Sequence, residues 1–345
     1  MASGAVLSLF IRHRQKSKMP AGWLELILGN FLIFFFVLAF FFVAGEAYYR
    51  FFYDTTDSIT YTKVSRRWFS RHYNMNSSRF RDNIEYLLTI KPGKRRISFL
   101  GDSFTAGHGV KNVEDRFPNI IRRTNPEWEI HVLAKLGADT GDELTLLKEG
   151  LDNGYQLDQV VLVYNLNDVA DIMPEWRESL ERIFADAVNE GWLRRHSFFV
   201  DILYHRYKVS HDPAMRQYFD FIRKGYSGST WELQKQRLTS LRDMVQSRGG
   251  RLLVVTFPFL HDMGPNYEFQ NIHNQMNQFW TDLKVPHLDL LPIYKDLPPS
   301  KITVNHYDSH PNEYAHALAA QKIDQFLKEE LKTNSSPQPP SKTVK

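Results

Sequence analysis

From residue 97 onward, short apolar runs alternate with stretches whose apolar positions recur every three or four residues. The runs ISFL (97–100), IHVLA (130–134), VVLVYN (160–165), LLVVTF (252–257) and HLDLL (287–291) are rich in branched side chains. Continuous apolar runs of this length are expected of buried parallel strands. Amphipathic stretches such as 141–153, 229–247 and 267–283 separate them. Strand alternating with helix predicts an α/β layer architecture with right-handed crossovers. The last helix is the clearest, because Ala315, Leu318, Ala319, Ile323, Phe326 and Leu327 fall on one stripe, with Asn312 after Pro311 as its candidate cap. Beyond it, residues 332–345 are polar and proline-rich and read as a disordered tail. There is no internal repeat.

Two segments break the alternation. Leu26–Ala44, LILGNFLIFFFVLAFFFVA, carries no charge, and Asn30 is its only strongly polar side chain. At ~1.5 Å rise per residue it matches the ~30 Å hydrocarbon core of a bilayer. Arg12, Arg14, Lys16 and Lys18 precede it, while Glu46, Arg50, Asp54 and Asp57 follow. The positive-inside bias therefore predicts a cytoplasmic segment over 1–22, an anchor over 23–45, and everything later outside the membrane. A signal peptide cut near Gly45 or Ala47 is the competing reading. Tyr48, Tyr49, Phe51, Phe52 and Tyr53 would suit an interfacial aromatic belt.

The second break is 171–228, a helical insertion between the third and fourth strands. It mixes Trp192, Phe198, Phe199, Tyr204, Tyr207, Tyr218, Phe219 and Phe221 with Arg and Lys. It reads either as a subdomain packing its aromatics inward, or as a lid or docking surface near the active site or membrane. Residues 46–95 read as a juxtamembrane connector, and 96–331 as one α/β domain.

Composition narrows the chemistry. The 345 residues include no cysteine, which excludes disulfides, thiolate nucleophiles and cysteine metal sites. A net charge of +4, with basic and acidic residues interleaved, gives no case for nucleic-acid binding. No cluster of metal ligands or cofactor motif stands out, so neither a metal nor an organic cofactor is expected.

The candidate chemistry starts at GDSFTAG (101–107). Ser103 directly follows a strand and would sit at the carboxyl edge of a parallel sheet, where open α/β folds bind ligands. It could be a nucleophile or only the cap of the next helix. A nucleophile needs a base, a group that orients the base, and an oxyanion site. In YDSHPN (307–312), Asp308 stands two residues before His310, between the last strand and the last helix. That spacing lets Asp308 hold one ring nitrogen while the other faces a serine. Oxyanion donors would come from the turns Leu136–Thr140 and Tyr164–Asp168, which offer a glycine and asparagines.

With GDSFT, LGADT, NLND and DSHPN in this order, each after an expected strand, the chain resembles the SGNH hydrolases, or GDSL-type esterases. The resemblance implies a flavodoxin-like three-layer α/β/α sandwich with about five parallel strands. It implies Ser103 as nucleophile, His310 and Asp308 as the rest of a triad, and an oxyanion hole of the Ser103 and Gly137 backbone N–H groups and the Asn167 amide. In two places the chain departs from the usual pattern. Asn165 stands where the third block commonly has glycine, and one residue rather than two separates Asp308 from His310.

The implied activity is acyl transfer through an acyl-enzyme, without metal or organic cofactor. Together with the anchor, the resemblance to membrane-anchored bacterial members, to which RFRDNIEY (79–86) adds, points to acyl groups on a surface glycan. A membrane-bound O-acyltransferase is then the expected partner. A lipid or lysophospholipid esterase and a non-catalytic acyl-binding module are the alternatives.

Overall fold

A computed structural model describes residues 2–16, 22–57, 61–173, 176, 178 and 190–333. Most of the expected tail, and residues 174, 175, 177 and 179–189 of the insertion, lie outside them. In chain order the elements begin with α1 (Ala2–Lys16), α2 (Trp23–Ala47), α3 (Lys63–His72), β1 (Arg95–Gly101), α4 (Ser103–Ala106), α5 (Phe117–Thr124), β2 (Trp128–Ala134), α6 (Thr140–Asp152) and β3 (Gln159–Asn165). Then come α7 (Trp192–His196), α8 (Phe198–His211), α9 (Pro213–Arg216), α10 (Tyr218–Gly225), α11 (Gly228–Ser247), β4 (Arg251–Phe257), α12 (Gln270–Asp282) and β5 (His287–Asp289). The chain closes with α13 (Leu291–Tyr294), α14 (Pro299–Ile302), the hairpin β6 (Thr303–Asn305) and β7 (Asp308–Pro311), and α15 (Glu313–Thr333).

The chain divides into two compact units. The first comprises Met1–Asp54, Thr62–Val64 and Glu190–Lys208. Its helix α2 runs on through a π-helical turn, Tyr48–Phe52. An 18-residue window of this helix has mean hydropathy 2.8 and none of it is buried, which makes it a candidate membrane span by length and composition.

In the second unit all five apolar runs pair in parallel, in the order β2-β1-β3-β4-β5. This is the flavodoxin-like order of a doubly wound fold. Alternate residues of each strand enter opposite cores. Leu100, Leu162, Tyr164 and Val254 meet Leu147 and Leu151 of α6, Leu238, Leu241 and Val245 of α11, and Met276 and Trp280 of α12. On the other face Phe99, Val161, Val163 and Val255 meet Phe117 and Ile121 of α5 and Ala315, Ala319, Ile323 and Leu327 of α15. A strand covered on both faces needs apolar residues at every position, which is why these runs do not alternate with polar ones. The Asn312 cap forms as expected, its Oδ1 accepting from Ala315 N at 3.0 Å.

Some boundaries differ from the sequence reading. HLDLL is a strand only to Asp289, because Asp289 Oδ1 accepts the Leu291 N–H at 2.9 Å and Pro292 lies in the first turn of α13. A proline has no N–H for a sheet ladder. The helix expected over 267–283 begins only at Gln270, since Phe269 turns into the core and Glu268 N bonds Asp262 at 3.0 Å. Residues 171–228 do not behave as one body. Glu190–Lys208 belongs to the unit of α2, whereas the residues from Val209 belong to the sheet's unit.

Candidate active site

Gly101 ends β1 in register with Ala134 of β2 on one side and Val163 of β3 on the other. The direction of winding reverses here, so the carboxyl ends of these strands open the crevice where doubly wound folds place ligands. Glycine is required at 101, because a Cβ would lie 2.4 Å from Thr105 Oγ1 and 3.1 Å from the Val163 carbonyl. Asp102 then caps α4, its side chain accepting from Phe104 N at 2.9 Å. Ser103 is the first helical residue. The cap is thus Asp102, which leaves the Ser103 hydroxyl for another partner. That partner is His310, whose Nε2 lies 2.8 Å from Ser103 Oγ. The helix behind Ser103 is a single turn of four residues, ended by Gly107 at φ +74.

Asp308 and His310 lie on β7, which the hairpin with β6 carries between α14 and α15. His310 Nδ1 is 2.6 Å from Asp308 Oδ1. A carboxylate can only accept, so Nδ1 carries the proton and Nε2 presents its lone pair to the serine hydroxyl. Asp308 is fully buried, and its oxygens accept from the His310 backbone N–H at 3.1 Å, from the Thr56 hydroxyl and from His108 Nε2 at 3.1 Å. Burial pushes the Asp308 carboxyl up, but the neighbouring His108 and His310 outweigh this and hold it well below the usual carboxylate range. Burial, reinforced by His108, lowers the His310 pKa below that of a free histidine.

His108 and Thr56 escaped the sequence reading. The His108 ring stacks on His310 with centroids 4.0 Å apart and planes 13° apart. Its Nε2 faces both Asp308 and, at 3.3 Å, the Asp57 carbonyl, so it too must donate. The only sequence signal was a histidine set between two glycines directly after the GDSFTA turn.

Gly137 and Asn167 occupy the turns after β2 and β3. Gly137 is exposed with φ +70, a conformation that glycine adopts without strain. Asn167 lies on a 3-10 turn, Leu166–Ile172. Among the described residues neither Gly137 nor Asn167 is bonded to the Ser103–His310–Asp308 set. Asn165, the departure in the third block, caps that turn, with its backbone N–H on Asp168 at 3.1 Å. Tyr218 was read only as one aromatic of the insertion, and its ring lies 4.5 Å from that of Trp176.

Asp102, Glu143 and Asp168 are among the other buried carboxyls of this unit. Burial raises Asp102 to about 7. Burial first, then the Asp102 charge, raises Glu143 well above its ordinary value, and burial first, then the Glu143 and Asp102 charges, does the same to Asp168. Both Glu143 oxygens lack a hydrogen-bond partner, so nothing offsets the cost of burying its charge. Among the described residues, only His108, Asp308 and His310 bring three potential metal donors within 4.8 Å of one another. Their atoms already pair as donor and acceptor, which fits a proton relay better than an ion.

No family model and no curated protein matches the chain. Among solved structures 43 chains match, and the similar proteins include SGNH and G-D-S-L hydrolases and esterases. A psychrotrophic esterase, EstA, from Pseudoalteromonas sp. is 15% identical, with 69% of this chain and 100% of that one covered and a TM-score of 0.43. A lipolytic protein of the G-D-S-L family from Veillonella parvula is 10% identical, with coverage of 67% and 97% and a TM-score of 0.42. A two-domain esterase active on acetylated mannans is 18% identical, with coverage of 73% and 54% and a TM-score of 0.38.

Proposed function

We propose that the chain is a serine esterase of the SGNH type, acting through an acyl-enzyme on Ser103. The observation that carries this reading is the unbroken run from Ser103 Oγ to His310 Nε2 and from His310 Nδ1 to Asp308, with the capping duty moved to Asp102. As Ser103 Oγ bonds to an ester carbonyl carbon, its proton passes to His310 Nε2. The carbonyl π electrons move to oxygen, and the Ser103 and Gly137 N–H groups and the Asn167 amide are proposed to bind the oxyanion. Collapse expels the alcohol, which takes the proton from His310 and leaves the acyl group on Ser103. Water or a sugar hydroxyl then attacks, with His310 again as base. Asp308, ionised and buried, stabilises the imidazolium in both halves.

The substrate proposed is a short acyl ester, such as acetyl, on a cell-envelope glycan. The span α2, with Arg12, Arg14, Lys16 and Lys18 before it, supports a catalytic unit held outside the membrane. The test is labelling of the full chain by a fluorophosphonate, compared with Ser103→Ala, followed by the mass of the acyl adduct after exposure to envelope extract. The wild type is expected to label, the variant to remain unlabelled, and the adduct to be acetyl. A long-chain adduct would replace the glycan ester by a lipid ester. An unlabelled, folded wild type would remove the enzyme reading in favour of a binding module.

A further inference from the structure

The outer end of α2 is bonded residue by residue to the insertion. Glu46 accepts from the Ser197 hydroxyl at 2.7 Å and from the backbone N–H groups of Phe198 and Phe199 at 3.2 and 3.0 Å. It therefore satisfies the first donors of α8, which otherwise have no intrahelical partner. Arg50 bonds Glu46 at 2.7 Å and the His196 carbonyl at 2.9 Å. Arg206 reaches back to the hydroxyls of Tyr49 and Tyr53 at 3.2 and 2.9 Å. Phe199 lies flat on Gly45, where an added Cβ would stand only 3.0 Å from three ring carbons. Its ring also meets Phe42 edge-on, with centroids 5.8 Å apart.

These contacts fix a depth. Phe42 belongs to the uncharged run that ends at Ala44, so at ~1.5 Å per residue it lies about 3 Å inside the end of that run. A ring resting on Phe42 is therefore at the hydrocarbon boundary of any bilayer that α2 spans. Helix α7 ends three residues before Phe199 and is tied to Arg50 through the His196 carbonyl. It presents Trp192 and Leu193, 71% and 58% exposed, next to the exposed Arg195, and Phe51 and Phe52 are 68% and 73% exposed at the end of α2. Tryptophan beside arginine suits the layer where acyl chains give way to phosphates. A water-soluble partner would have to displace lipid to cover a surface at this depth.

Given that α2 spans a bilayer, we infer that the segment Trp192–Phe199 is a membrane-interface element, resting Trp192 and Leu193 in the lipid headgroup layer and clamped there by Glu46 and Gly45. The insertion then does more than cover the sheet. Its segment Glu190–Lys208, which shares a unit with α2, is a membrane foot, so the chain leaves the bilayer through a bonded joint. Cleavage after Gly45 would remove Phe42 and Gly45, and cleavage after Ala47 would remove Glu46 as well; either dismantles that joint.

Because the chain lacks cysteine, a single Leu193→Cys can be labelled with an environment-sensitive fluorophore in the full-length protein. Met75→Cys, 61% exposed in the other unit, is the reference. In vesicles of phosphatidylcholine and phosphatidylglycerol, headgroup-level spin-labelled lipid is expected to quench position 193 severalfold more than position 75. Adding Gly45→Leu is expected to abolish the difference while the protein stays inserted and Ser103 still labels. Equal quenching at 193 and 75 would overturn the inference, as would a Gly45→Leu protein quenched like its parent. Shielding of 193 in native membranes but not in pure lipid would replace the lipid by a protein partner. Release of the chain from vesicles by alkaline carbonate would overturn the span itself.

Discussion

Replacing Arg81 by methionine tests how the nucleophile turn is held. The guanidinium is buried and donates to the carbonyls of His72, Ala106, Gly107, Val110 and Lys111, four of them in the chain that follows Ser103. It also lies over the rings of Trp68 and Tyr73, at 5.6 and 5.1 Å. Methionine fills much of the volume but donates nothing. A buried acceptor left unpaired costs ~1–3 kcal/mol, so even two dry carbonyls amount to roughly 2–6 kcal/mol. Set against a typical total of ~5–15 kcal/mol, a loss near 4 kcal/mol corresponds to roughly 10 °C in Tm. Thermal unfolding by circular dichroism reads the stability, and the fluorophosphonate rate well below the transition reads the geometry of Ser103 and His108. Both are expected to fall. Lysine should restore little, since a compact ammonium lacks the planar fork that spans several carbonyls. Arg81→Met unfolding within ~1 °C of wild type, with an unchanged labelling rate, would refute the clamp.

Three further outcomes are expected. Asn167→Ala should lower kcat on aryl acetates by ~10²–10³ with little change in KM. The acid limb of kcat/KM should lie below the ordinary histidine pKa of ~6.5, because burial and His108 lower His310, and the base works only when neutral. His108→Gln keeps a donor for Asp308 but removes the second imidazole, so the limb should move upward, and a limb that stays put would separate His108 from the base. Glu143→Gln should stabilise the protein at alkaline pH. A carboxyl raised by burial contributes fully below its unfolded value of ~4.3 and loses that contribution as pH rises through the folded value. The Tm gain of the variant should therefore be absent near pH 4 and present at pH 8, and an equal gain at both would contradict a neutral Glu143.

The sheet was legible because a strand buried on both faces writes its burial at every position. Its ends were less so. Arg96 looked like the edge of ISFL, yet it is buried within β1, where Glu129 of the neighbouring strand neutralises it. The Asp308–His310 pair was visible because two residues bring it together locally. Thr56 meets the same carboxylate from 252 positions away, and nothing in a single sequence marks such a pair. Likewise the halves of the insertion look alike in composition, and what divides them is Glu46 and Gly45, about 150 residues upstream. RFRDNIEY, noted only as part of a resemblance, carries the clamp Arg81 and, in Asp82, the shared partner of Arg116 and Arg122.

The short turn GDSFTAGHG explains why one peptide can supply two parts of the site. Had α4 continued, each residue would have moved ~1.5 Å further along its axis, carrying position 108 away from the sheet edge. Instead Gly107 takes the left-handed conformation after four helical residues, and the His108 N–H closes back on the Ser103 carbonyl at 3.0 Å. The chain doubles over Ser103, and the His108 ring stacks on His310 while residues 106–110 are held. Arg81 supplies that hold through the Ala106, Gly107 and Val110 carbonyls. Stopping the helix early thus lets one strand–turn present both Ser103 and a second histidine at His310, and ties the segment before the sheet to the same residues.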